Sequence, residues 1–144
     1  MCGRYLLSYE LEDLIRILQE KYKIRKPNID YYEPRYNIAP GQLVLSVIND
    51  GKNNRVGNLH WGFVPYWAKD KKIGYKMINA RAETLNKKPA FKYSFNNRRC
   101  VILSNGFYEW KSEGSKKSPY LIQLKDKSIF SFAGLWTSYQ NKDG

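Results

Sequence analysis

Met1-Cys2-Gly3-Arg4-Tyr5 opens the chain and puts a thiol on the second residue. A small side chain at that position normally lets the initiator methionine be removed, which would make Cys2 the N-terminus. An α-amine of pKa roughly 7.7 to 8.0 would then share one residue with a thiol of roughly 8.5. Such an aminothiol attacks an aldehyde twice: the amine condenses to a Schiff base and the sulfur closes a five-membered thiazolidine. The same amine can instead serve as general base toward an amide, so a hydrolase is the competing chemistry.

Composition narrows the substrates. The 144 residues fall within the usual span of one domain, and 25 Lys and Arg against 13 Asp and Glu leave a formal charge of +12. That excess favours polyanions, and 12 Tyr, 6 Phe and 4 Trp offer faces on which unpaired bases stack. A basic single-strand binding module without chemistry is therefore a third reading. Lysine runs such as Lys69-Asp70-Lys71-Lys72 and Lys116-Lys117 read by themselves as solvated surface. No apolar run reaches membrane-spanning length and no secretory signal opens the chain, so an intracellular, cytoplasmic location without membrane association is expected. Cys2 and Cys100 are too few for a disulfide framework, and with the single His60 they imply no metal and no cofactor.

The elements that must position Cys2 begin with a short strand, Arg4 to Leu7. Ser8 is the expected N-cap of a helix whose stripe is Leu11, Leu14, Ile15, Leu18 and Tyr22. Pro27, Pro34 and Pro40 make Tyr31 to Pro40 an expected extended loop. Strands follow over Leu43 to Ile48 and Val56 to Phe63, joined by a turn beginning at Asn49-Asp50-Gly51. A helix is expected near Ala82 to Lys87, interrupted by Pro89 and resuming as a turn over Ala90 to Phe95. Cys100 to Leu103, Phe107 to Trp110, Tyr120 to Leu124 and Ile129 to Ala133 read as strands, with Lys111 to Ser118 a connecting turn. The fold class is α+β, a curved, mainly antiparallel sheet with a barrel-like core and a few peripheral helices.

Seven segments stand out from this scaffold: Cys2-Gly3-Arg4-Tyr5, Tyr36-Asn37-Ile38-Ala39-Pro40, Trp61 to Trp67, Asn79-Ala80-Arg81-Ala82-Glu83, Arg98-Arg99-Cys100, Gly106-Phe107-Tyr108-Glu109-Trp110 and Gly134-Leu135-Trp136. In this order they resemble the SOS response-associated peptidase (SRAP) family along nearly the whole chain. The resemblance implies a protein of DNA damage repair that shields abasic sites in single-stranded DNA through a thiazolidine on the N-terminal cysteine. It makes Cys2 the nucleophile, Asn79 the group that holds the sugar and the cysteine backbone, and Glu109 the acid/base. It assigns Arg4 and Arg81 to phosphates, and Pro40 and Trp67 to the kink and the neighbouring bases.

Asn37 reads either as a substrate contact or as an Asx turn bracing the loop before Pro40. Glu83 reads as an ion-pair partner orienting Arg81, Cys100 as a buried core thiol and His60 as structural. The family's C-terminal His-x-Arg-Met-Pro-like motif has no counterpart before Gly144. Residues 1–144 are therefore expected to form a single domain, truncated at its C-terminal end, with a complementing segment or chain as a partner besides the DNA.

Overall fold

Strand β1 (Tyr5–Leu7) is wholly buried, and every neighbouring element is arranged around it. The computed structural model describes residues 2–140. β1 pairs antiparallel on one side with β2 (Arg35–Ile38) and on the other with β6 (Gly106–Glu113), which pairs in turn with β7 (Lys116–Ile122). The second sheet has the order β4-β3-β5-β8, from β3 (Leu43–Asn49), β4 (Asn54–His60), β5 (Arg99–Ser104) and β8 (Phe130–Leu135). Both sheets are antiparallel, as expected for this α+β class, and they curve without closing into a barrel.

The sheets share one core. Tyr5 meets Trp61 and Phe132 with ring centroids 5.5 and 5.8 Å apart, and Phe107 meets Phe130 and Phe132 from β6. These tilted and edge-on contacts suit the ring quadrupoles. Helix α1 (Leu11–Glu20) adds Leu14 and Leu18, both fully buried, while Leu11 stays 40% exposed at its start. The chain crosses between sheets at Ser104-Asn105, where two buried polar side chains satisfy the backbone. Ser104 Oγ donates to the Leu6 carbonyl, and the Asn105 carboxamide accepts from the Ser8 N–H at 2.9 Å. The Asn105 Nδ2 also donates to Ser8 Oγ at 3.0 Å, which engages the side chain expected to cap the helix; Glu10 is the N-cap and makes no side-chain cap bond.

Several local expectations yield to pairing. Arg35–Ile38 is a strand, because the prolines at 34 and 40 flank it without entering it. Lys111 to Ser118 is mostly strand as well: β6 and β7 continue to a tight turn at Gly114, whose φ of 63° suits glycine. Ala82–Thr84 is a 3-10 turn, and Pro89 begins α2 (Pro89–Asn97), where its missing N–H costs no helical bond. Among the described residues no helix is long and apolar enough to cross a membrane.

The link from β4 to residue 79 depends on two glycines. A Cβ on Gly62, at φ 148°, would stand 2.9 Å from the Gly74 carbonyl oxygen. Their close approach brings the two ends of the loop together. The Phe63 N–H then donates to the Met77 carbonyl, and the Trp61 indole to the Ile78 carbonyl at 2.9 Å.

Candidate functional site

Cys2 and Asn79 are 77 positions apart in sequence and meet in space. The Asn79 carboxamide donates from Nδ2 to the Cys2 carbonyl oxygen at 2.7 Å, held there by the two bonds to Met77 and Ile78. From the other direction β1 fixes the cysteine. The Arg4 carbonyl accepts the Tyr108 N–H at 2.9 Å, and the Cys2 thiol donates to the same oxygen at 3.4 Å.

Burial raises the Cys2 thiol above its ordinary pKa, the bond to Arg4 opposes this, and the charge of Glu109 raises it further. Glu109 on β6 is thus electrostatically coupled to the cysteine, because a nearby negative charge disfavours a thiolate. Cys100 behaves differently: buried in β5, its thiol is pushed up to about 11 by desolvation, as befits the core thiol expected there. Tyr5 is also raised by burial, and its hydroxyl is buried with no hydrogen-bond partner among the described residues.

Arg4 and Asn37 form a clamp. The arginine Nη1 donates to Asn37 Oδ1 at 2.9 Å across β1 and β2. Asn37 therefore braces Arg4, and the Asx turn is corrected to a strand residue. Arg81, Trp67 and Pro40 complete the expected set without joining these bonds. Arg81 is exposed two residues beyond Asn79, and Trp67 is half exposed in the loop after buried Pro65. Glu83 makes no ion pair with Arg81 among the described residues; it lies in the 3-10 turn that follows Arg81. His60 ends β4 and is exposed.

A cavity of about 1340 Å³ adjoins the cysteine and asparagine, lined mainly by apolar groups including Tyr5, Trp61, Phe63 and Phe132. Three tyrosines near the site had no role from sequence reasoning. Tyr108 donates its hydroxyl to the Tyr36 carbonyl, tying β6 to β2 over the clamp. The Tyr75 ring lies 3.1 Å from where a Cβ on Gly41 would stand, so it packs on the glycine that follows Pro40. Tyr36 and Tyr108 fall inside the distinctive segments; nothing in the sequence pointed to Tyr75. Among the described residues no cluster of three or more His, Cys, Asp or Glu is placed to hold a metal ion.

Fold and site together define an α+β protein whose second residue, a cysteine, is bonded by an asparagine amide and feels the charge of a carboxylate. The chain belongs to the SOS response associated peptidase (SRAP) family, whose model matches residues 1–144. It is 49% identical to the abasic site processing protein YoqW of Bacillus subtilis (strain 168), over all of this chain and 63% of that protein. It is 34% identical to the abasic site processing protein YedK of Escherichia coli (strain K12), over 99% of this chain and 63% of that one. A crystal structure of a protein from Bacteroides thetaiotaomicron superposes with a TM-score of 0.84 at 26% identity, covering 99% of this chain and 62% of that chain. The chain thus spans 63% of the length of these two curated relatives.

The coupling of Cys2 to Glu109 has a measurable sign. Glu109→Gln removes the charge that raises the thiol, so its pKa falls and alkylation of Cys2 moves to lower pH. Iodoacetamide rates followed by peptide mass spectrometry should show faster labelling at neutral pH in the variant, with Cys100 unreactive in both proteins. A superimposable Cys2 profile would show that the two groups are not coupled.

Proposed function

We propose that this protein captures abasic sites in single-stranded DNA on Cys2, once Met1 has been removed. The observation that carries the reading is the bond from Asn79 Nδ2 to the Cys2 carbonyl, with the Glu109 charge acting on the same residue. It is supported by relatives named abasic site processing proteins. Restraint of the carbonyl and of the thiol narrows the orientations the aminothiol offers an aldehyde, and such restraint lowers the entropic part of a barrier.

The reaction balances without a cofactor. The Cys2 amine attacks C1′ of the ring-opened sugar to give a carbinolamine, and loss of water gives a Schiff base. The sulfur then adds to the imine carbon, and its proton passes to nitrogen, closing the thiazolidine. Burial keeps the thiol protonated, which favours attack by the amine first. As a carboxylate, Glu109 shuttles protons, accepting one from the sugar hydroxyl or the attacking amine and returning it to the departing oxygen. Arg4, braced by Asn37, and Arg81 hold the phosphates flanking the lesion through guanidinium forks. Pro40 and exposed Trp67 support the bases beside it.

Denaturing electrophoresis with an oligonucleotide containing an abasic aldehyde tests this reading. Wild-type protein should give a shifted band that survives denaturant, and Cys2→Ser and Cys2→Ala should give none. Glu109→Gln should slow its formation by roughly 10²- to 10⁴-fold. A peptidase or a purely non-covalent binding module gives no such band, and a wild-type yield from Cys2→Ser would refute the thiazolidine.

The apolar cavity belongs to the same reading. A polypeptide segment, in the same chain or another, covers it, because Trp61, Phe63 and Phe132 leave a large apolar surface beside the site. Adding the part of a relative that lies beyond the matched region should raise the thermal midpoint of residues 1–144; an unchanged midpoint would contradict a cover of that kind.

A further inference from the structure

Helix α2 has two unlike faces. Phe91, Ser94 and Phe95 turn toward the protein, whereas Pro89, Lys92, Tyr93, Asn96 and Asn97 recur at helical spacing along a second groove. Tyr66 contributes from the loop after buried Pro65. The groove measures about 580 Å³ and is separate from the apolar cavity beside Cys2. Two of its tyrosines are unusually open for such large rings: Tyr66 is 72% exposed and Tyr93 is 53% exposed.

Arg98 is held in place at the end of this groove. Its guanidinium carbon lies 5.2 Å from the Tyr93 ring centroid and 5.1 Å from that of Trp136, and Nη1 donates to Ser138 Oγ at 3.1 Å. Stacked between two rings, the cation is preorganised. Asn97 Nδ2 donates to the Tyr93 carbonyl, fixing the last turn of the helix. Lys92 and Arg98 are the charged residues lining the groove, and neither Asp nor Glu is among them.

Open aromatic faces beside fixed cations, with no acidic group, match a strand of unpaired nucleotides: bases stack on the rings while phosphates meet the cations. Tyr66 also adjoins Trp67 in the chain, the residue assigned to the bases beside the lesion. We propose that the groove formed by Tyr66, Tyr93, Lys92 and Arg98 is a second binding segment for single-stranded DNA, holding nucleotides of the captured strand beyond those at Trp67. This inference rests on the proposed single-strand function and extends it to the length of DNA engaged. The groove adds affinity for longer strands and takes no part in bond formation at Cys2.

Fluorescence anisotropy of the intact chain provides the test, using strands of about 4 and about 16 nucleotides, the range over which single-strand sites vary. Each strand carries a tetrahydrofuran abasic analogue, which has no aldehyde and cannot crosslink. Wild-type protein should prefer the longer strand, and Tyr66→Ala combined with Tyr93→Ala should lose roughly thirtyfold or more in affinity for it. Affinity for the short strand should be unchanged. Tyr93→Phe, which keeps the ring, should retain the preference and guards against a folding defect. An equal loss on both lengths, or none on either, would overturn the groove. Absence of a covalent band from wild-type protein with the aldehyde substrate would instead refute the capture chemistry, so the two failures are distinct.

Discussion

Burial of β1 is the constraint on which the site depends. Tyr5, Leu6 and Leu7 are each almost inaccessible, and β1 lies between β2 and β6 with both edges paired. A chain terminus is ordinarily poorly ordered unless something ties it down. Here the tie begins three residues after Cys2. The buried Ser104-Asn105 corner adds to it by hydrogen bonding to Leu6 and Ser8 on either side of Leu7. Moving β1 by one residue would exchange buried Tyr5 and Leu7 for residues that belong on the opposite face, so the packing also fixes where Cys2 stands.

The remaining chemistry is assembled from residues brought to that fixed point. β6 contributes Glu109 because Tyr5 pairs with Phe107, and β2 contributes Asn37 because it pairs with the opposite edge of β1. Asn79 arrives by a different route, along the loop closed by Gly62 and Gly74. In the proposed mechanism these three approaches divide the work. Asn79 orients the cysteine backbone, Glu109 moves protons, and Asn37 steadies an arginine that meets phosphate. The aromatic groove on α2 lies outside this division and would contribute only to binding.

How much of this could be read in the sequence depended on how local the cause was. The helical stripe was legible in Leu14 and Leu18 because both contacts follow from a 3.6-residue period. Cys100 was legible as a core thiol because its neighbours are apolar. The β2 strand was hidden by flanking prolines, since its pairing with β1 spans about thirty residues of intervening chain. Ser8 looked like a cap by type, yet Asn105, 97 residues away, engages its hydroxyl. The meeting of Asn79 with Cys2 was expected from family resemblance alone; composition and spacing contain nothing that closes a gap of 77 residues. Tyr75 and the Arg98 stack required the fold itself, because each is defined by a ring lying over a distant residue.

The central claim is that the captured sugar is bonded to the amine and sulfur of one residue. Mass spectrometry of the adduct, after digestion of both protein and DNA, tests this most directly. The account predicts an N-terminal peptide beginning at Cys2, lacking Met1, whose added mass equals the sugar remnant less one water and resides on Cys2 alone. Efficient adduct formation by chains that retain Met1, or a remnant carried by a lysine, would contradict it.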